Sequence, residues 1–189
     1  MKRALDYGND MLKAAKGDIE KVLIAKGFNT MGPFESIDEM TYSEKERASL
    51  LYVPNFDANM DFMGGDVAQG NPGTITQQAT VNMRGSVSLA FLEPMTREKV
   101  WMKRFDLEPY SDSYVASAQA RQGDLVATLV TQMIMGGSQQ NQKNQLEASV
   151  VVLNNFYQKA MNKMWDHLDP IEIEGLKAEA NKLKGLKRF

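Results

Sequence analysis

The sequence predicts a two-layer α+β protein, in which helices pack on one face of an antiparallel sheet and the other face is more polar. Between Gly85 and Leu107, two stretches of alternating or β-branched residues flank a break at Pro94, as in a β-hairpin. Segments near both ends of the chain instead repeat apolar residues every three or four positions, as amphipathic helices do. The predicted strands cover residues 51–62, 74–92 and 99–107.

The composition is that of an ordinary globular chain without a strong global charge. Of its 189 residues, 43% are hydrophobic and 24% are charged, and the formal net charge is −2. This length and balance predict a single domain over residues 1–189, and the charge provides no general attraction to nucleic acid or to an anionic membrane. Because the chain has no Cys, disulfides, thiolate metal sites and a cysteine nucleophile are excluded.

No stretch of the sequence is typical of a transmembrane helix. The longest apolar stretch, residues 125–135, falls far short of the roughly 20 residues that a spanning helix needs. The N-terminal sequence MKRALDYGND is basic but has no apolar run after it, so it does not have the pattern of a signal peptide.

Two helices are predicted before the first strand. The first ends at Lys26 and Gly27, and the capping-box spacing of Thr41 and Glu44 predicts a second helix over 42–49. Residues 28–31 lie before a Gly-Pro turn and are interpreted as a brief strand. The apolar stripe of the first helix consists of Leu12, Ala15, Ile19, Val22 and Leu23.

The first predicted strand is followed by a glycine-rich stretch. Phe56 and Met60 share one parity of the strand, and Pro54 indicates a sheet edge or a bulge. Residues 63–73, MGGDVAQGNPG, contain four glycines and a proline and are predicted to form a mobile loop. Residues 110–123 have no periodicity that assigns them to a helix or a strand.

The C-terminal part of the sequence predicts two further helices. A polar, low-complexity stretch over 138–145 leads into apolar residues at helical spacing over 146–168. Asp169 and Pro170 then provide a cap and a first-turn residue for the last helix.

His167, the only histidine, follows Asp166, and an Asp–His pair is one way to orient a general base. Adjacent residues of a helix point in different directions, however, and no serine with the spacing of a nucleophile elbow accompanies the pair. A histidine that compensates the helix dipole is therefore the favoured interpretation. We predict no catalytic residue and no enzymatic activity.

Asp57, Asn59 and Asp61 begin like a calcium-binding loop. Phe62 stands where such a loop needs glycine, and Ala68 stands where it needs a bidentate glutamate. The alternation favours the polar face of a strand instead. The glycines that follow lack the ending of a phosphate loop and the strand-to-helix context of a dinucleotide fingerprint, so we predict neither a metal nor a cofactor.

Two further features have the chemistry to contact a ligand. Trp101 and Phe105 share a predicted strand face with Lys103, and an aromatic ring beside a cation can stack on a sugar or a base. Core packing is the alternative role of these rings. A basic C-terminal end could contact lipid headgroups or acidic glycans, or it could compensate the helix dipole. Its residues are Lys182, Lys184, Lys187 and Arg188, and no ligand-binding residue is assigned.

Five segments, spread over nearly the whole sequence, carry a family resemblance. They are GFN at 27–29, DEMTYSEK at 38–45, GSVSLAFLEPM at 85–95, DLVATLV at 124–130 and EANKLKGLKR at 179–188. In this order and with this spacing, they resemble the neuraminyllactose-binding haemagglutinin (adhesin A) family of Helicobacter surface lipoproteins.

The resemblance implies a non-enzymatic, exported lipoprotein of the outer membrane, cell surface or flagellar sheath that binds sialylated host glycans as a virulence factor. The implied partners are those glycans and envelope or flagellar-sheath proteins, with membrane contact only through a lipid anchor. Family members carry the anchor on a Cys that this chain lacks, so the chain is interpreted as a mature or trimmed soluble portion or as a divergent member.

One departure from the family keeps a second function open. The basic Lys-Arg-Thr stretch proposed for sialic-acid binding in the family falls near residues 63–73, where this sequence has no Lys or Arg. Without a cation, the carboxylate of a sialic acid has no obvious partner there. The alternative is a structural or assembly lipoprotein of the envelope or flagellar sheath without lectin activity.

Overall fold

The computed structural model describes residues 2–69, 73–119 and 138–186, and the three described strands form one sheet in the order β1-β2-β3. Together with the helices packed on this antiparallel sheet, this confirms the predicted α+β class. No described helix has the length and hydropathy of a membrane span. The elements are α1 (Lys2–Ala25), a 3-10 helix (Ile37–Glu39), α2 (Tyr42–Arg47), β1 (Leu51–Gln69), β2 (Thr74–Leu92), β3 (Lys99–Gln119), α3 (Gln139–His167) and α4 (Pro170–Leu186).

Contacts divide the chain into two compact units, and all three strands contribute residues to both. The first unit consists of Met1–Asn9, Ala58–Gly85 and Leu107–Gln158. The second unit consists of Asp10–Asp57, Ser86–Asp106 and Lys159–Phe189. The single domain expected from chain length remains a prediction, which coincident unfolding of probes in the two units would test.

The core of the second unit forms where aromatic residues of the sheet meet apolar residues of the helices. Phe91 of β2 is buried with Leu168 and Ile173. The rings of Tyr52 and Trp101 flank Phe91, with centroids 5.1 and 5.7 Å from its own. Alternation along the strands therefore puts one aromatic residue of each strand into this core.

The turn between β2 and β3 is built on a buried carboxylate. Glu93 is 0% exposed, and its two carboxylate oxygens accept the backbone N–H groups of Met95 and Thr96 at 3.1 and 2.6 Å. The backbone N–H of Glu93 donates to Glu98, and its carbonyl accepts from Arg97, both at 2.8 Å. The predicted hairpin is confirmed, and the glutamate of its LEPM sequence holds the turn.

β1 is longer than the sequence predicts. It continues to Gln69, so the mobile loop predicted over 63–73 is wrong for residues 63–69, while residues 70–72 lie outside the described part. A Cβ atom at Gly65 would lie 2.5 Å from the carbonyl oxygen of Gln78, so glycine is required where the backbone of β2 approaches. Here glycine indicates close strand packing, whereas the sequence pattern suggested a turn.

β3 (Lys99–Gln119) includes most of the stretch that showed no periodicity, and residues 120–123 lie outside the described part. Its buried positions change from the odd-numbered Leu107 to the even-numbered Tyr114. The buried side of the strand therefore changes between these positions, and Pro109, which cannot donate a ladder hydrogen bond, lies between them. This change of parity conceals the alternation that would have identified the strand.

The brief strand predicted over 28–31 is wrong, because this segment follows a helix-ending motif instead. Gly27, with φ of 88°, donates its N–H to Ile24 at 2.9 Å, and Phe28 donates to Leu23 at 3.0 Å. These two bonds form a Schellman motif, which satisfies the last carbonyls of α1. Phe28 and Leu23 both pack against the core of the second unit.

The capping box predicted at Thr41 is present at the start of α2. Its hydroxyl oxygen accepts the N–H of Glu44 at 3.3 Å, and the Glu44 carboxylate accepts the N–H of Thr41 at 2.7 Å. This backbone hydrogen bond holds the pKa of the Glu44 carboxyl below its usual range. The predicted cap of α4 is also confirmed, since Asp169 accepts the N–H of Ile171 at 2.7 Å.

α3 begins at Gln139, so it includes the polar stretch that the sequence placed before the helix. Asn141 is only 2% exposed, and its side-chain amide pairs with the backbone of β3. Its Oδ1 accepts the N–H of Ser117 at 2.9 Å, and its Nδ2 donates to the carbonyl of the same residue at 2.8 Å. Asn144 adds a bond to the carbonyl of Val115 at 2.7 Å. These amides cover part of a strand edge.

Candidate functional site

An exposed tryptophan lies beside a cation in the second unit. Trp165, near the C-terminal end of α3, is 43% exposed, and Nζ of Lys26 lies 4.3 Å from the centroid of its ring. Trp is on average a highly buried residue, so an open ring is informative. The pair combines a positive charge with an accessible aromatic surface.

Local structure holds both members of this pair. Lys26 directly precedes the glycine of the Schellman motif, and its own N–H donates to Val22 at 3.0 Å. Met164 of α3 and Leu168, the residue directly after α3, are 1% and 0% exposed and anchor the end of the helix around Trp165. Trp165 is adjacent to this buried stripe and therefore remains partly outside it.

A second cation and aromatic ring meet at Lys103 and Phe105, as the sequence suggested. Nζ of Lys103 lies 5.4 Å from the centroid of the Phe105 ring. The centroid of the His167 ring lies 4.0 Å from the same point, tilted by 50°, so it covers part of Phe105. Trp101, the third member of the predicted group, packs on Phe91 in the core.

The side chain of His167 hydrogen-bonds to the backbone of its own helix, α3. Its Nδ1 lies 2.9 Å from the carbonyl oxygen of Lys163, and because a carbonyl can only accept, Nδ1 carries the proton of this bond. Its ring packs on Phe105. The described contacts of His167 do not include Asp166, so the structure does not assemble the general-base pair considered above.

Two acidic residues of β1, Asp57 and Asp61, form ion pairs. In the first unit, Asp61 pairs with Arg84 at 2.6 Å and accepts a hydrogen bond from Asn59 at 3.3 Å. In the second unit, Asp57 pairs with Arg104 at 3.3 Å. Among the described residues, no group of three or more His, Cys, Asp or Glu residues is arranged to hold a metal ion. The polar strand face that the alternation favoured is the observed arrangement.

A concavity of about 350 Å³ lies between β3 and α3 in the first unit. Two carboxylates, Asp112 and Glu147, lie on its wall, and Lys143 pairs with Glu147 at 3.7 Å. Burial raises the pKa of the Tyr114 hydroxyl on the same wall. Exposed Val115 contributes apolar surface. This concavity suits a neutral or cationic group better than an anion.

The basic C-terminal end has a structural role in its described part. Nζ of Lys184 donates to the carbonyls of Lys45, Glu46 and Ala48 at the C-terminal end of α2, at 3.2 Å to Lys45 and 3.3 Å to Ala48. A cation at the last carbonyls of a helix satisfies them and compensates the dipole. Lys187 and Arg188 lie outside the described residues.

The family model of the neuraminyllactose-binding hemagglutinin precursor (NLBH) matches residues 3–187. The chain belongs to this family. The resemblance seen in the five sequence segments is thereby confirmed. No curated protein matches the chain.

A solved structure shares the NLBH-type fold. The crystal structure of a neuraminyllactose-binding hemagglutinin homolog from Helicobacter pylori aligns with a TM-score of 0.59 and 16% sequence identity. The alignment covers 94% of this chain and 80% of that chain. At this identity the likeness establishes the common fold.

Sequence reasoning missed the pair formed by Lys26 and Trp165. The two residues lie near opposite ends of the NLBH chain, so no spacing rule connects them. One signal was available: the Lys-Gly-Phe sequence at 26–28 marks the end of α1 and fixes the position of a cation. The ring beneath that cation is known only from the folded structure.

Proposed function

We propose that this NLBH-family chain is a non-enzymatic, cell-surface adhesin whose ligands are sialylated host glycans. The observation that carries the proposal is the match of the family model over residues 3–187. The family is named for binding neuraminyllactose, a sialylated sugar, and for haemagglutination. The proposed location is the outer membrane or cell surface, the flagellar sheath included.

The charge of the molecule requires that a sialylated ligand be recognised locally. With a formal net charge of −2, the chain as a whole does not attract an anionic glycan. A single carboxylate of the ligand instead needs one well-placed cation, with apolar or aromatic surface beside it for the sugar ring. The second unit offers this combination at Lys26 and Trp165.

A glycan array tests the proposal directly. The purified chain, displayed on beads to provide multivalency, is applied to sialylated glycans and to the same glycans after sialidase treatment. We expect binding that depends on the sialic acid. Equal signals before and after sialidase, or no saturable signal on any glycan, would contradict the proposed adhesin function.

One observation supports a second candidate, a structural or assembly lipoprotein of the envelope or flagellar sheath. Residues 63–73 contain no Lys or Arg, and residues 63–69 belong to β1. This candidate predicts a stable envelope partner, recovered by cross-linking in intact cells followed by purification of the tagged chain. Recovery of the chain without any envelope partner would count against it.

A further inference from the structure

Most cations with described contacts already have an anionic partner in the chain. A new carboxylate would have to compete with the existing one for each of these side chains, which weakens any binding. Those paired with carboxylates include Lys16, Arg84, Arg97, Arg104, Lys143 and Lys177.

Lys26 differs, because its described contact is the ring of Trp165. No carboxylate among the described residues pairs with its ammonium group, which lies 4.3 Å from the ring centroid. An ammonium group has three N–H donors, so contact with a ring face leaves donors for an incoming carboxylate. The part of the Trp165 ring that remains exposed can contact the apolar face of a sugar.

The two competing places are less suitable for an acidic sugar. The ring next to Lys103 is already covered in part by His167, so Phe105 has less open surface for stacking. The concavity of the first unit has Asp112 and Glu147 on its wall, and both repel an anion.

We infer that Lys26 and Trp165 form the subsite for the acidic sugar of the glycan, with Lys26 binding its carboxylate and Trp165 stacking on its ring. This inference rests on the proposed adhesin function and names residues for it. Because Lys26 is only half-buried, the ion pair is screened by salt, and binding weakens as ionic strength rises.

Tryptophan fluorescence can report on this subsite. The chain has two tryptophans, so Trp101→Phe leaves Trp165 as the single emitter, and Trp165→Phe leaves Trp101. Phenylalanine retains an aromatic ring at position 101, against Phe91. On titration with sialyllactose, we expect a saturable change in emission from the Trp101→Phe variant and no change from the Trp165→Phe variant. A saturable change seen only in the latter would overturn the assignment.

A pair of charge variants separates the subsite from the second cation and ring. Lys26→Gln is expected to weaken sialyllactose binding by about tenfold, because it removes the charge-assisted hydrogen bond. Lys103→Gln, the matched control, is expected to bind like the wild type. Unfolding curves of both variants confirm that each remains folded.

The outcomes separate the inference from the proposed function. If the wild type binds sialyllactose and Lys26→Gln and Trp165→Ala bind it equally well, the subsite assignment is wrong and the adhesin function stands. If the wild type binds no sialylated glycan, the proposed function fails and the subsite fails with it. Selective loss of binding in the Lys26 and Trp165 variants supports both.

Discussion

The two ends of α3 contact the rest of the fold through different chemistry. At its N-terminal end, in the first unit, the buried side-chain amide of Asn141 pairs with the N–H and carbonyl of Ser117 at the edge of β3, as the backbone of a further strand would. At its C-terminal end, in the second unit, Met164 and the following Leu168 are buried apolar residues, with Trp165 exposed between them. The comparison teaches that a polar side chain can be buried as fully as an apolar one when its polar atoms have partners.

A substitution in the apolar core at the C-terminal end of α3 should cause the largest loss of stability. Leu168→Ala removes a fully buried side chain from the core of the second unit, and we expect the free energy of unfolding to fall by about 3 kcal/mol. Chemical denaturation followed by circular dichroism measures this change. The control is Leu186→Ala, at a position that is 76% exposed, and its change should stay within about 0.5 kcal/mol. Equal effects of the two changes would contradict the core assignment.

A substitution of the buried amide at the N-terminal end of α3 should cause a smaller but measurable loss of stability. Asn141→Ala leaves the N–H and carbonyl of Ser117 without their partner, and we expect the free energy of unfolding to fall by about 2 kcal/mol. Gln139→Ala, on the exposed surface of the same helical turn, is the control, with an expected change within about 0.5 kcal/mol. If Asn141→Ala were as harmless as the control, the amide would not hold the strand edge.

Removing a buried polar group that has no hydrogen-bond partner should raise the free energy of unfolding instead of lowering it. The hydroxyl of Tyr52 is buried without a hydrogen-bond partner among the described residues, and burial raises the pKa of Tyr52 far above its usual range. We expect Tyr52→Phe to raise the free energy of unfolding by about 1 kcal/mol at neutral pH. Chemical denaturation measures this gain, and a loss of stability would show that the hydroxyl has a partner.

The same residue predicts an alkaline dependence with a definite sign. Above the ordinary tyrosine pKa of about 10, the unfolded state loses the phenolic proton while the folded state retains it, so the wild type loses stability as pH rises. Tyr52→Phe should reduce this decline, and Tyr114→Phe, in the first unit, should also reduce it because burial raises the pKa of Tyr114. Tyr42→Phe, at a position that is 70% exposed, is the control for loss of a phenol and should change the free energy of unfolding at neutral pH by no more than about 0.5 kcal/mol.

The smallest expected effect concerns the acidic concavity beside the N-terminal half of α3. Asp112→Asn combined with Glu147→Gln should change sialyllactose affinity by less than about twofold, because neither carboxylate belongs to the proposed subsite and salt screens exposed charges. Isothermal titration calorimetry compares this double variant with the wild type. A loss of affinity as large as that expected for Lys26→Gln would place the ligand in the first unit instead of the second.

Much of the fold followed from local patterns of residues. The hairpin, the capping box at Thr41 and the cap at Asp169 depend on neighbours close in sequence, and the structure contains all three. Both ends of β2 and the first residues of β1 and β3 are as predicted, but β1 and β3 extend further than the sequence predicts, because their C-terminal ends depend on neighbours distant in sequence. Gly65 is glycine because β2 approaches it, and the parity of β3 changes across Pro109.

The candidate site was harder to predict than the fold. Of the side chains that the sequence suggested, Lys103 and Phe105 do meet, whereas Trp101 joins the core. Lys26 and Trp165 meet only because α1 and α3 end near each other in the second unit, a relation that depends on tertiary packing. The sequence places the polar stretch over 138–145 before the helix for a similar reason, because the strand partner of the Asn141 amide is defined only in the folded chain.

The most direct test of the account is a titration of the wild-type chain with sialyllactose and with lactose under identical conditions of low salt. We expect saturable binding of sialyllactose and much weaker binding of lactose, because only sialyllactose has a carboxylate for Lys26. Equal affinity for the two sugars, or no saturable binding of either, would contradict it.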